Sequence, residues 1–69
     1  MYWRRVEDLR VDHDLTQQQV ADFLKINRTT YRRYEKGERD LPLELAIQLS
    51  KLYNTSLDYL VGLSDKKNI

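Results

Sequence analysis

Signals that start and stop helices recur at short intervals along this chain, and that punctuation limits it to short helices. Thr16, Asn27 and Ser56 have side-chain oxygens that can accept from the unpaired N–H groups of a helix's first turn. Gly37 and Gly62, the only glycines, suit the left-handed residue that ends a helix, and Pro42, the only proline, suits a first turn. Between these marks the apolar residues recur at three- and four-residue spacing, and the alternation of a half-buried strand is absent. The expectation is an all-α fold, a compact five-helix bundle.

The first helix is expected from about Trp3 to His13, with Val6, Leu9 and Arg10 facing inward. Asp14 stands where the chain must leave that helix, and aspartate tolerates the left-handed conformation better than most residues. Thr16 followed by Gln19 is a capping box for a second helix, Gln17 to Leu24, which buries Val20, Phe23 and Leu24 and keeps a small surface at Ala21. Lys25-Ile26 is a very short connection to a third helix, capped by Asn27 and stopped at Gly37. A fourth runs from Pro42 to Tyr53 with Leu45, Ala46, Leu49 and Leu52 inward, and Ser56 caps a last one holding Leu57, Tyr59 and Leu60. The domain is expected over 1–63, with a short polar tail, frayed, over 64–69.

A chain of 69 residues permits one small domain, and without a cysteine its stability must come from packed side chains, a partner chain helping. Thiolate metal sites and disulfides are excluded. No apolar run reaches the roughly 18 residues of a membrane span, and no signal-peptide pattern opens the chain, so the expected compartment is the cytoplasm.

The formal net charge is only +1, but its distribution is uneven. From Lys25 to Arg39 the cations Lys25, Arg28, Arg32, Arg33, Lys36 and Arg39 face only Glu35 and Glu38, whereas from Asp40 to Asp65 Lys51 stands alone against Asp40, Glu44, Asp58 and Asp65. At about 100° per residue, Arg28, Arg32 and Lys36 share one stripe and Thr29 and Arg33 the next, with Tyr31 and Tyr34 behind. A basic, hydrogen-bonding front on an aromatic back suits duplex DNA. Arginine pairs bidentately with guanine, a threonine methyl meets a thymine methyl, and cations neutralise phosphate. A solvated basic face is the simpler reading of the helix alone. Its position after a shorter capped helix and a tight turn favours the helix-turn-helix arrangement.

The segment "LTQQQVADFLKINRTTYRRYEKGER" resembles the helix-turn-helix of the phage Cro and repressor family, also called the XRE family, and "LPLELAIQLSKLYNTSLDYLVG" resembles its continuation. The likeness covers about Val6 to Leu63. It implies a lambda repressor-like DNA-binding domain of a transcriptional regulator, a repressor, with the third helix in the major groove. By the same resemblance Arg28, Thr29, Arg32 and Arg33 face base edges, while Gln17, Asn27, Lys36 and Arg39 meet the DNA backbone. Gln17 also braces the recognition helix, and Glu35 pairs with Arg10. Three positions depart from the family pattern: Lys25 and Asp14 stand at common glycines, and Tyr31 replaces a small aliphatic residue, so a ring must fit between helices.

Other residues point to structure. His13 has no second metal ligand at suitable spacing and suits a helix C-terminus, Trp3 is expected to pack against the fifth helix, and Asp12, Asp14 and Asp22 lack the partners of acid–base chemistry. No enzyme, metal, cofactor or small-molecule ligand is expected. The expected partner is duplex DNA carrying a two-fold symmetric operator, bound by a homodimer. Its interface would use Leu57, Tyr59, Val61 and Leu63, with Tyr53 a further candidate. The alternatives are a protein-interaction module such as an antitoxin of a toxin–antitoxin pair, or the DNA-binding half of a longer repressor.

Overall fold

The computed structural model describes residues 2–63; the frayed tail expected over 64–69 lies outside the described residues. Five helices follow in order: α1 (Arg4–Asp12), α2 (Gln17–Leu24), α3 (Arg28–Lys36), α4 (Leu43–Leu52) and α5 (Leu57–Leu60). Trp3 and His13, expected inside the first helix, are its two caps. Pro42 is likewise the N-cap of α4 and not part of its first turn: its ψ of 144° is extended, and only its carbonyl joins the helix, accepting from Ala46 N.

The expected side-chain caps form. Thr16 Oγ1 accepts from Gln19 N while Gln19 Oε1 accepts from Thr16 N, closing both arms of the capping box. Asn27 Oδ1 accepts from Thr30 N, and Ser56 Oγ from Tyr59 N. Lys25 and Asp14 adopt left-handed backbone at φ 60° and 56°. Gly37, at φ 78°, ends α3 where a side chain would fail twice: the conformation favours glycine, and a Cβ would lie 2.8 Å from Tyr2 Cβ.

The core gathers Val6 and Leu9 of α1, Val20, Ala21 and Leu24 of α2, Tyr31 of α3, Ala46 and Leu49 of α4, Leu60 of α5, and Leu41 and Tyr53 from the connections. Trp3 packs against it, half-buried, and shares a cavity wall with Leu60 and Val61. Two expectations of burial are corrected. Phe23 is 46 % exposed, because it lies about 100° around the axis from Leu24 and so leaves the arc that Val20, Leu24 and Ala21 turn inward. In α4, Leu45 and Leu52 are half-buried at the core's margin, and Ser50 takes an inward place beside Ala46 and Leu49. Burying Ser50 is tolerable because its hydroxyl donates to the Ile47 carbonyl at 2.7 Å.

Candidate nucleic-acid interface

The α3 sequence sorts itself by chemistry once the helix forms. Tyr31 and Glu35, four residues apart, are fully buried, Tyr34 is half-buried, and Arg28, Thr29, Arg32, Arg33 and Lys36 are all exposed. The helix packs chiefly against α2 and also against α1, so its back is covered on two sides and the basic face is left outward. Nine residues make a rod about 13 Å long, and a helix's diameter with side chains, about 10–12 Å, fits a major groove about 12 Å wide.

A charged residue holds that back in place. Arg10 Nε donates to Glu35 Oε2 at 2.8 Å and Arg10 Nη2 to Oε1 at 3.1 Å, a bidentate pair between α1 and α3. Tyr31 Oη donates to Oε2 at 2.6 Å, and Gln17 Nε2, from the start of α2, donates to Oε1 at 3.1 Å. One carboxylate thus ties the three helices together. Burial pushes the Glu35 carboxyl up, but the hydrogen bonds from Arg10, Tyr31 and Gln17 outweigh it and hold the group below its ordinary value. The hydrogen bond to Glu35 raises Arg10 further. Burial, then the Glu35 hydrogen bond, drives the Tyr31 phenol far up, and Tyr53 is pushed up to about 12, by burial first and Glu35 second.

Around this frame the expected backbone contacts differ in exposure. Asn27 spends its side-chain oxygen on the cap, which leaves its amide N–H groups to give outward. Gln17 is half-buried with one amide hydrogen committed to Glu35. Arg39 is exposed in the loop after α3, where Glu38 N and Arg39 N both donate back to the Arg33 carbonyl.

Two ion pairs were not legible beforehand: Lys36 Nζ to Glu7 Oε2 at 3.2 Å and Arg32 Nη1 to Glu38 Oε2 at 3.9 Å. Only the spare negative charge of Glu7 and Glu38 hinted at them. The Tyr31–Glu35 bond could have been found, since spacing of four on a helix brings side chains together.

The helix-turn-helix family model matches residues 6–60, nearly the whole described chain. The chain belongs to the helix-turn-helix family. The matching helix-turn-helix domain also resembles curated proteins. It is 38 % identical over 65 residues to the uncharacterized HTH-type transcriptional regulator YobD of Bacillus subtilis (strain 168), covering 94 % of this chain and 58 % of that one. The cryptic phage CTXphi transcriptional repressor RstR of Vibrio cholerae is 37 % identical over 65 residues, 94 % of this chain and 59 % of its own. The HTH-type transcriptional regulator ImmR of Bacillus subtilis (strain 168) is 36 % identical over 67 residues, 94 % and 53 % respectively. The chain therefore spans between 53 % and 59 % of the length of these relatives. No solved structure matches it significantly.

Around α5, the expected dimer residues differ in availability. Leu63 is 80 % exposed, while Leu57, Tyr59 and Val61 are half-buried. One face of the Tyr59 ring is covered by the Arg5 guanidinium, 4.0 Å from the ring centroid. Tyr53, the further candidate, is buried in the core beside His13, their rings 5.0 Å apart, and is withdrawn from any surface. His13 is structural here: its Nδ1 donates to the Leu9 carbonyl at 2.8 Å.

Proposed function

We propose that this domain binds duplex DNA sequence-specifically and regulates transcription as a repressor, with α3 lying in the major groove. The observation that carries the reading is the exposed face of Arg28, Thr29, Arg32 and Arg33 on a helix whose back is locked by the buried Glu35 cluster. A rigid helix presenting directional donors can discriminate base edges, where a mobile basic segment would only collect phosphates. Gln17, Asn27 and Arg39 flank this face and would grip the backbone, while Lys36 at the rim is held by Glu7. Relatives named as transcriptional regulators, one of them a phage repressor, support the assignment.

The domain acts as a homodimer on a two-fold operator, in the cytoplasm, without catalysis. Selection of bound sequences from random duplex DNA tests the reading. The expected result is a consensus with two related half-sites. Recovery of no consensus, with uniform retention of all duplexes, counts against sequence-specific recognition.

A further inference from the structure

Lys36 ends the basic row of α3, one turn beyond Arg32 and two beyond Arg28, and its ammonium is already engaged in the free chain. It donates to Glu7 on α1 at 3.2 Å. Glu7 lies at the edge of the buried cluster, with the same Oε2 3.9 Å from Arg10 Nη2. Lys36 therefore reaches a carboxylate carried by α1 that also stands near Arg10. Other cations of the face are treated differently. Among the described residues Arg28 and Arg33 pair with no carboxylate, and Arg32 has only the distant Glu38, both of those side chains being more than half exposed.

We infer that Glu7 withholds Lys36 from DNA phosphate and thereby sets the affinity of the domain for duplex DNA, an inference that rests on the DNA-binding reading above. An ammonium drawn towards a phosphate must either leave its carboxylate or bring it along. Bringing it along places two anions side by side, and leaving forfeits the ion pair. A part-exposed pair and a single phosphate contact are of similar strength. The two nearly cancel, so Lys36 adds little to binding while Glu7 is present. Release is reversible because Arg10 remains beside Glu7 when Lys36 departs.

The test is a double-mutant cycle of Glu7→Gln and Lys36→Ala, read as affinity for one random-sequence duplex across a salt series. Glu7→Gln should tighten binding about two- to fivefold at low salt. It should also steepen the log–log salt dependence by about 0.9, one further phosphate contact. Lys36→Ala alone should change affinity less than twofold and leave the slope alone, and the double variant should behave as Lys36→Ala. A gain from Glu7→Gln that survives in the Lys36→Ala background overturns the inference, because the effect is then one of net charge. A loss of one contact's slope in Lys36→Ala alone overturns it too. That single variant can overturn the inference even where Glu7→Gln folds poorly, since Lys36 is exposed and its truncation leaves the core intact. A wild-type chain that binds no duplex at any salt overturns the DNA-binding reading and this inference with it, whereas wild-type binding without the cycle overturns this inference alone.

Discussion

Glu35 is completely buried yet ionised, and its four hydrogen bonds come from Arg10, Tyr31 and Gln17. Such a charge is tolerable only while its partners stay, so removing one partner should cost far more than an exposed pair would. Glu35→Gln leaves Arg10 with a neutral partner and is expected to destabilise the domain by about 3–5 kcal/mol. Tyr31→Phe removes one hydrogen bond to a charge and should cost about 1.5–3 kcal/mol. The pH dependence follows from the same atoms. Glu35 titrates below its ordinary 4.5 in the folded chain, so its contribution is present above that value and is lost as the pH falls through the folded value. Tyr31 titrates above its ordinary 10.0, so its contribution is complete below that value and is lost as the pH rises beyond it. Thermal melts across pH should show both limbs, with the acid limb flattened in Glu35→Gln and the alkaline one in Tyr31→Phe. Unchanged limbs would mean that other groups govern the titration. On the outer face two arginines should part company. Arg28, in the first turn of α3, should cost about 1–3 kcal/mol on the selected site when changed to alanine, and little on random DNA. Arg39→Ala should weaken all duplexes alike and flatten the salt slope by about one contact. Equal losses on both duplexes for both variants would reduce α3 to an electrostatic patch.

The turn between α2 and α3 sets the angle at which the recognition helix leaves its neighbour, and it is built with strain. Lys25 sits at φ 60° and ψ 40°, while Lys25 N and Ile26 N donate back to the Asp22 and Ala21 carbonyls. A non-glycine residue there costs roughly 1–2 kcal/mol, part of which glycine would return through its floppier unfolded chain. Lys25→Gly should therefore stabilise the domain by about 0.5–1 kcal/mol and raise its melting temperature by roughly 2–8 °C. A lower melting temperature would show that the lysine side chain makes a compensating contact. Much of this region was readable in advance because caps are local: Thr16, Asn27 and Asp14 declare themselves through their own chemistry, whereas Lys25 was flagged only by the family resemblance, which has a glycine there. The inward face of α3 was readable in part: Tyr31, expected behind, is buried, but Tyr34 is only half-buried and Glu35, expected only as the partner of Arg10, takes the inward place. Orientation against other helices was harder. Phe23 is apolar and adjacent to Leu24, but which neighbour supplies the buried arc is decided by where α3 and α4 lie. Ser50 looked polar until a carbonyl one turn back satisfied it. Glu7 and Lys36 meet across 29 positions of sequence, and nothing local announces such a pair.

At the scale of the whole molecule, one domain measures 29 Å along its longest axis, while half-sites one helical turn apart are centred about 34–36 Å from each other. Two domains seated in successive major grooves on one face of the duplex would thus come close only at their edges, even with their longest axes in line. The proposed edge is α5 with its flanks. Leu63 is its most exposed apolar residue, and Leu57, Val61 and Tyr59 are half-buried beside it, with Arg5 over one face of the Tyr59 ring. An edge so small would hold weakly in free solution and strongly once both domains share one DNA. The expected behaviour is cooperative binding to a duplex with two half-sites. Inserting five base pairs between them, which turns one half-site to the opposite face, should reduce binding to that of a single half-site. Leu63→Asp should abolish the cooperativity and leave single-half-site affinity close to unchanged, because Leu63 lies outside α3 and the core. Sedimentation of the chain alone and on the paired site gives an independent readout, with two chains per duplex expected on the paired site. A strict monomer in both settings, or cooperativity indifferent to the five-base-pair insertion, would rule out this edge as the contact between copies.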